Sequence, residues 1–348
     1  MRSSSPLARF VALAIPGLLI LTFAGCGGGG GGGAAPAGGA GAGGGKAPAA
    51  TKRLTIAVIP KGTTHDFWKS VHAGAMQAAK EFDVDIVWDG TVNEKDKEGQ
   101  IKIIQSQVVN QVDGICLAPI DRTALIRPVV AAKQAGVPTV IFDSGLEDSS
   151  AIVSYVATDN LNGGKIAGKK MGELLGGKGN VILLRYAAGS ESTEQREQGF
   201  LETLAAEFPE IKIVSENQRA GSDADEARRL SESLLNEIPD VDGVFTVCEP
   251  NNKGMLVALE NKQLAGKVKF VGFDSDPRFI AAMKEGKMHG IVLQDPVRMG
   301  YLAVKTMVEH LRGQKVEARV PTGEVLATPE NMEEESVKKL LEPSKFEG

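Results

Sequence analysis

Residues 54–88 read LTIAVIPKGTTHDFWKSVHAGAMQAAKEFDVDIVW, and this stretch decides the fold. Its two ends, residues 54–59 and 84–88, are short apolar runs of the kind that form buried strands. Between them, apolar side chains recur at spacings of three and four residues, which is the helical period. They are Phe67, Val71, Ala75, Ala78 and Phe82. The stretch therefore predicts one strand–helix–strand unit of a parallel sheet.

The same unit repeats along the rest of the chain. The strand runs are continuously apolar, as expected for a parallel sheet that is covered by helices on both faces. We predict further strands at residues 114–118, 138–142, 152–156, 181–184, 211–214, 243–247, 268–273 and 290–294. A last helix precedes two short extended segments near Val320 and Val325, and the charged tail after Asn331 is expected to form a surface helix. The pattern predicts an α/β protein with two doubly wound lobes.

The beginning of the chain has the features of an export signal. Two arginines flank a short polar start, residues 10–23 are almost wholly apolar, and small residues precede Cys26. This order resembles the lipobox of bacterial lipoproteins, so residues 1–26 are predicted as a lipoprotein signal with Cys26 as the lipidated residue. An ordinary cleaved signal with an incidental cysteine is the alternative. Residues 27–51 are nearly all Gly, Ala and Pro and are predicted to be a flexible tether.

Composition and charge exclude several function classes. Of the 39 basic residues, Arg2, Arg9 and Lys46 lie before Thr51, so 36 basic and all 44 acidic residues remain, a net charge of −8. An acidic surface argues against nucleic acid as a partner. Neither a metal-binding histidine spacing nor a Gly-x-Ser-x-Gly nucleophile turn is present. We therefore expect no metal, no cofactor and no enzymatic activity, with Cys116 and Cys248 as buried free thiols.

Polar residues stand directly after several predicted strands. Ligands of open parallel sheets bind outside the carboxyl ends of the strands. Two such sheets facing each other would leave a cleft lined by these side chains. They are Lys61 and His65 after the first strand, Asp121 and Asp143 after the third and fourth, and Glu249, Asp274 and Gln294 in the second half.

Five short motifs carry a family resemblance. They are Ala157–Asn160 (ATDN), Gly163–Gly168 (GGKIAG), Arg196–Phe200 (REQGF), Val271–Asp274 (VGFD) and Gln294–Pro296 (QDP). In this order and spacing, the chain resembles periplasmic sugar-binding proteins of the ribose-binding type, from about Lys52 to Thr328. The resemblance implies the type I fold, with two lobes joined by a three-crossing hinge near Thr158, Gln294 and Gly323. The lobes would comprise residues 52–157 plus 295–323 and 158–294 plus 324–342, and would close on ligand.

The resemblance also implies a set of ligand-binding residues. His65, Phe67 and Trp68 occupy the places of a polar side chain and two aromatics, although Phe67 also fits the apolar stripe of its helix. Asp143, Asp274 and Gln294 stand where the family has sugar-binding Asp, Asp and Gln. The chain departs from the pattern at Ser144, Glu194 and Cys248, where the family has two arginines and an asparagine. The predicted ligand set is Lys61, His65, Phe67, Trp68, Asp143, Glu194, Glu249, Asp274 and Gln294.

The resemblance implies an extracytoplasmic, lipid-anchored solute-binding protein. It would be a monomer that captures a monosaccharide or polyol and delivers it to an ABC permease and its ATPase, touching the membrane only through the anchor. Pro60–Lys61 and Asp143–Ser144 resemble a branch that binds rhamnose or the autoinducer-2 signal, which is the alternative ligand class. A sensor lipoprotein that presents its ligand to a membrane receptor is a further alternative. A transcriptional regulator would need a DNA-binding module where the signal and tether stand.

Overall fold

The computed structural model describes residues 53–345. The predicted signal and tether, including Cys26, lie outside the described residues. Within them the chain forms two six-stranded sheets with helices on their faces, which confirms the predicted α/β class with two parallel-sheet lobes. Strands and helices are numbered along the chain.

The first sheet contains six parallel strands. They are β1 (Thr55–Ile59), β2 (Asp85–Trp88), β3 (Gly114–Leu117), β4 (Thr139–Phe142), β5 (Ser154–Ala157) and β11 (Arg319–Pro321). Their order across the sheet is β11-β5-β4-β3-β1-β2. All four residues of β3 and of β4 are buried, because these central strands are covered on both faces.

The second sheet repeats this arrangement with one change at its edge. Its strands are β6 (Lys178–Leu184), β7 (Glu210–Ser215), β8 (Gly243–Thr246), β9 (Lys269–Phe273), β10 (Gly290–Gln294) and β12 (Glu324–Ala327). Their order is β12-β10-β9-β8-β6-β7. The last strand, β12, pairs with β10 in antiparallel direction, whereas the other pairs are parallel.

Each sheet is covered by helices that bury one apolar face against it. The helices are α1 (Asp66–Phe82), α2 (Lys97–Val109), α3 (Ile126–Gln134), α4 (Asn160–Leu174), α5 (Glu191–Glu207), α6 (Ala224–Glu237), α7 (Glu249–Asn261), α8 (Pro277–Lys284), α9 (Pro296–Leu311) and α10 (Glu335–Leu341). Helices α1, α2, α3 and α9 pack on the first sheet, and the others pack on the second. Between Arg53 and Lys345, no helix combines the length and apolar character needed to cross a membrane.

The chain passes between the two sheets at three places. These are the β5–α4, β10–α9 and β11–β12 connections. Thr158 on the first connection donates a hydrogen bond to Gln294 on the second at 2.8 Å, and its hydroxyl lies 3.3 Å from that of Thr322 on the third. All three side chains are buried. One hydrogen-bonded group thus ties the three crossings together.

The carboxyl-terminal helix is less exposed than its charged sequence suggested. Val337 and Leu341 of α10 are 2% and 3% exposed and belong to the core of the second sheet. They are four residues apart and therefore lie on one helical face. The prediction of a helix is correct, but the helix packs on the lobe through this face.

Two glycines bring α4 and α5 into backbone contact. A Cβ atom on Gly164 would lie 2.1 Å from the Arg196 carbonyl oxygen, and one on Gly199 would lie 2.1 Å from that of Leu161. No other residue could occupy these positions without moving the helices apart. The GGKIAG and REQGF motifs thus have a packing role, and their contact fixes the position of Arg196.

Candidate functional site

The carboxyl ends of the two sheets face one another across a small polar cavity of about 40 Å³. Strand ends and helix starts of both sheets supply its walls, because the connections after parallel strands gather at one edge of a sheet. Eight of the nine predicted ligand residues line it. They are Lys61, His65, Phe67, Trp68, Asp143, Glu249, Asp274 and Gln294.

Asp143 and Asp274 directly follow the corresponding strands of the two sheets, β4 and β9. Both have a left-handed backbone, with φ of 63° and 72°. Asp is among the few non-glycine residues that adopt this conformation readily. Both side chains are buried, at 4% and 7% exposure. The two strands therefore end in the same way and turn a carboxylate into the cavity from each side.

Lys61 holds the carboxylate of the first sheet. Its Nζ lies 2.8 Å from Asp143 Oδ2 and also donates to the hydroxyls of Ser192 and Ser190 at 3.1 and 3.4 Å. Both serines are on the second-sheet side of the cavity. Within residues 53–345, Asp143 Oδ2 has no partner with hydrogen-bond geometry. The ammonium neutralises this oxygen, which keeps its capacity to accept a hydrogen bond from a ligand.

Asp274 is engaged by three groups of its own sheet. Its Oδ2 accepts from the Glu249 backbone N–H at 3.1 Å, and its Oδ1 accepts from Gln294 Nε2 at 2.6 Å. The Arg196 guanidinium lies 3.8 Å from Oδ2. Burial raises the pKa of Asp274 above its usual range, although Arg196 and the hydrogen bond from Gln294 oppose this shift.

Arg196 also lines the cavity, although it was not among the predicted ligand residues. It is 2% exposed and donates to Asn160 Oδ1 and the Val247 carbonyl oxygen, both at 2.9 Å. Its guanidinium also stacks 3.8 Å above the centre of the Phe273 ring. The departures at Ser144 and Glu194 indicated a shortage of cationic groups, and Arg196 and Lys61 supply two of them.

Glu94 is a second cavity residue that the sequence analysis missed. Its Oε1 accepts from Trp68 Nε1 at 2.7 Å and lies 2.8 Å from His65 Nδ1. Its Oε2 accepts from the Tyr186 hydroxyl, on the second-sheet side, at 2.6 Å. Glu94 lies in the loop after β2, so it too belongs to the polar residues that follow strands. Its sequence neighbours are charged, and for this reason the sequence did not distinguish it from a solvent-exposed residue.

The His65–Glu94 pair shifts the pKa of both partners. Burial alone would lower the pKa of His65, but the hydrogen bond and charge of Glu94 outweigh burial and raise it. Burial alone would raise the pKa of Glu94, but His65, Lys61 and Tyr186 lower it to about 2. Each partner therefore stabilises the charged form of the other.

Glu194 is the predicted ligand residue that does not line the cavity. Its Oε1 accepts from the Gly189 backbone N–H at 3.0 Å, and its Oε2 pairs with Arg122 at 3.1 Å. The side chain lies in the first turn of α5 and reaches the loop before that helix instead of the cavity. It therefore joins the two sheets at the rim, because Arg122 belongs to the first sheet's side.

The other predicted residues contact one another, and Asp159 of the ATDN motif caps a helix. Glu249 Oε2 accepts from the Phe67 backbone N–H at 3.2 Å, which links α7 to α1 across the two sheets. The ring centres of Phe67 and Trp68 lie 4.9 Å apart with their planes at 82°. Asp159 caps α4 by accepting from Asn162 N at 3.0 Å. Among residues 53–345, no three His, Cys, Asp or Glu side chains are grouped so that they could hold a metal ion.

This arrangement suits a neutral ligand rich in hydroxyl groups. Carboxylates accept hydrogen bonds from adjacent hydroxyls, and cations and amides donate to hydroxyl and ring oxygens. The aromatic face of Phe67 or that of Trp68 suits the apolar C–H face of a ring, but not both at once, since their planes are 82° apart. Groups from both sheets would contact one ligand.

The chain is similar to known proteins over most of its length. Residues 56–315 match the family described as periplasmic binding protein domain. The ribose import binding protein RbsB of Escherichia coli is 31% identical over 269 residues, which cover 77% of this chain and 88% of that protein. The D-arabinose complex of a carbohydrate transporter solute binding protein from Agrobacterium radiobacter is 35% identical, with a TM-score of 0.81 over 84% of this chain and all of the other. An ABC transporter solute binding protein from Agrobacterium vitis with bound D-fucose is 31% identical, with a TM-score of 0.80 over 83% of this chain and all of the other.

Proposed function

The chain belongs to the periplasmic binding protein family, and from this premise we propose that it captures a monosaccharide or related polyol and delivers it to an ABC-type importer. We further propose that the lobes comprise residues 52–157 plus 295–323 and residues 158–294 plus 324–342. The membership of the strands in the two sheets supports this division. The ligand would bind in the cavity between the lobes without being converted, since the related proteins are solute-binding proteins.

One observation carries this proposal: two carboxylates, one from each sheet, face a single cavity. Asp143 and Asp274 each have a cation beside them, so they remain able to accept hydrogen bonds in a dry site. A hydrogen bond to a charged group contributes roughly 1.5–3 kcal/mol. A sugar with hydroxyls on two sides of its ring would engage both carboxylates at once.

Contacts across the cavity support closure of the lobes as the transport signal. Lys61 reaches Ser192, the Phe67 N–H reaches Glu249, and Tyr186 reaches Glu94. These pairs form only when the lobes are together. A ligand that contacts both lobes shifts the balance towards the closed form, because it makes more interactions there than in an open form. The permease would recognise the closed form.

Lys61 favours a second candidate for the class of ligand. Relatives are described as binding D-ribose, D-allose and xylitol, and solved neighbours hold D-arabinose, D-tagatose and D-fucose. The Pro60–Lys61 and Asp143–Ser144 pairs resemble the branch that binds rhamnose or autoinducer-2. Lys61 and Asp143, one residue of each pair, line the cavity and contact each other. A sensor role would use the same cavity and closure.

A ligand screen tests the proposal. Purified protein would be heated with D-ribose, D-allose, D-arabinose, D-fucose, D-tagatose, L-rhamnose, autoinducer-2 and xylitol, since a tight ligand raises the melting temperature. We expect at least one of them to do so, with a dissociation constant measurable by calorimetry and the sugar recovered unchanged by chromatography. The absence of any shift across the panel, or recovery of a chemically altered sugar, would contradict the proposal.

The membrane anchor is a separate proposal. We propose that Cys26 becomes lipidated and that residues 27–51 tether the lobes to a bacterial membrane. The export-signal sequence before Cys26 supports it. Expression in a bacterial host followed by fractionation tests it: the Cys26→Ser variant should move from the membrane to the soluble extracytoplasmic fraction. An unchanged distribution would favour an ordinary cleaved signal.

A further inference from the structure

A second cavity of about 220 Å³ adjoins the polar cavity. It is bounded by the start of α1, the β9–α8 connection, the start of α9, and the segment from α10 to Lys345. Most of its wall area is apolar, although charged side chains, among them Asp66, Asp276, Glu342 and Lys345, also line it. The apolar residues include Phe67, Pro277, Ile280, Leu340, Leu341 and Pro343.

The two cavities share part of one wall. Phe67, Asp274 and Gln294 line both of them. A ligand ring beside Asp274 would therefore be next to the second cavity. A substituent on that side of the ring could extend past Phe67 and Gln294 towards the second cavity.

A contact that crosses from one lobe to the other lies at the border of the second cavity. Lys345 Nζ pairs with Asp66 Oδ2 of α1 at 2.7 Å. The same carboxyl-terminal segment is held on the second lobe by a hydrogen bond from Ser275 Oγ to the Leu341 carbonyl oxygen at 2.5 Å. Closure of the lobes therefore completes both cavities together.

We propose, resting on the function proposed above, that the ligand class includes glycosides: sugars whose ring binds at the polar cavity and whose apolar substituent fills the second cavity. At about 40 Å³ the polar cavity must widen by movement of the lobes to admit a sugar ring. An apolar cavity of about 150 Å³ is large enough to hold benzene. The second cavity, at about 220 Å³, has room for a phenyl group or a short alkyl chain. Burial of such a group would add affinity through the hydrophobic effect.

The polar groups at the shared wall suit a glycosidic linkage. A glycosidic oxygen carries no hydrogen, so it can only accept a hydrogen bond. Gln294 Nε2 has two hydrogens, one of which it donates to Asp274 Oδ1. Its second hydrogen is suited to the glycosidic oxygen, while the Asp274 carboxylate accepts from a neighbouring ring hydroxyl.

Matched ligand pairs test this proposal by calorimetry. D-ribose, D-allose, D-arabinose and D-fucose would each be compared with their phenyl glycosides in both anomers. We expect at least one phenyl glycoside to bind about tenfold or more tightly than its parent sugar. In Ile280→Trp, whose added ring occupies the second cavity, this gain should disappear while the parent sugar binds within twofold of the wild-type value.

Control variants separate the second cavity from general effects of the substitution. Val214→Trp adds the same side chain at a surface position that is 38% exposed, and it should keep the gain. Leu340→Trp fills the cavity from α10 and replaces Ile280→Trp if that variant does not fold. Parent sugars that bind while no glycoside binds more tightly, or a gain that persists in the filled variants, would overturn this inference and leave the proposed function intact. Failure of every sugar and glycoside to bind would overturn both.

Discussion

The two sides of the polar cavity hold a carboxylate at the same place in each sheet but secure it differently. We call Lys61 and Asp143 the first half-site, and Arg196 and Asp274 the second half-site. In the first, one oxygen of Asp143 faces only the Lys61 ammonium at 2.8 Å. In the second, Asp274 already accepts from a backbone N–H and from Gln294, with Arg196 3.8 Å away.

The cations of the two half-sites also differ in which lobe supplies their partners. Arg196 makes its hydrogen bonds and its ring contact with groups of the second lobe, so its position does not depend on closure. Lys61 donates across the cavity to Ser190 and Ser192, so its surroundings change when the lobes separate. The second half-site is therefore formed before the lobes close, whereas the first half-site is completed by closure.

The largest difference between the half-sites is expected in the free energy of unfolding when each cation is removed. Arg196→Met should lower the free energy of unfolding of the ligand-free protein by about 3 kcal/mol, because a buried carboxylate loses its partner. Lys61→Met should change it by less than about 1 kcal/mol, because water reaches Asp143 when the lobes open. Urea denaturation of both variants measures the difference. Equal losses of stability would mean that both half-sites are preformed.

Substitution of the two carboxylates should affect sugar affinity and protein stability differently. Asp143→Asn should weaken sugar binding roughly 10- to 100-fold with little change in stability, since a hydrogen bond to a charged group contributes about 1.5–3 kcal/mol. Asp274→Asn should weaken binding and also destabilise the protein, because its oxygens hold Gln294 and the Glu249 N–H. Calorimetry with a sugar from the screen, together with melting curves, measures both. A stability loss confined to Asp143→Asn would contradict the comparison.

The stability of the protein should depend on pH through His65, on the first side of the cavity. The raised pKa of His65 means that its contribution to stability is fully present below pH 6.5 and is lost as the pH rises through the raised value. Glu94, with a pKa of about 2, stays ionised throughout this range. The melting temperature of the wild type should exceed that of His65→Gln by more at pH 5.5 than at pH 8.5. A difference that is constant or larger at pH 8.5 would exclude the charged pair.

The smallest effect is expected at the exposed rim between the lobes. Arg122 pairs with Glu194 at 3.1 Å, and the Arg122 side chain is 43% exposed. Exposed ion pairs contribute about 0–1 kcal/mol and are screened by salt. Arg122→Ala should therefore weaken sugar binding less than about fivefold, and less at 0.5 M NaCl than at low salt. A loss as large as that of Asp143→Asn would place ligand recognition at the rim.

The sequence was sufficient to predict the fold and most of the cavity because strand ends are local signals. An apolar run followed by a polar residue locates Asp143 and Asp274 directly, and parallel topology brings their strand ends to one edge. The second sheet's edge strand, β12, was predicted as an extended segment. Its antiparallel pairing with β10 was not predicted, because strand direction depends on how the chain crosses between lobes.

Residues whose role depends on packing between distant segments were harder to predict. Arg196 lies within a helix, and its approach to Asp274 depends on the close contact at Gly164 and Gly199. Glu94 lies six residues after β2 in a charged loop, where solvent exposure is the ordinary expectation. Glu194 was expected at the cavity from its alignment with a family arginine, but its first-turn position directs it to Gly189 and Arg122 instead.

A crystal structure with the sugar that binds most tightly in the screen tests directly whether one ligand contacts the carboxylates of both lobes. We expect one sugar ring held between the lobes, with hydroxyls within hydrogen-bond distance of both Asp143 and Asp274. A sugar bound outside the polar cavity, or one that contacts a carboxylate of only one lobe, would contradict it.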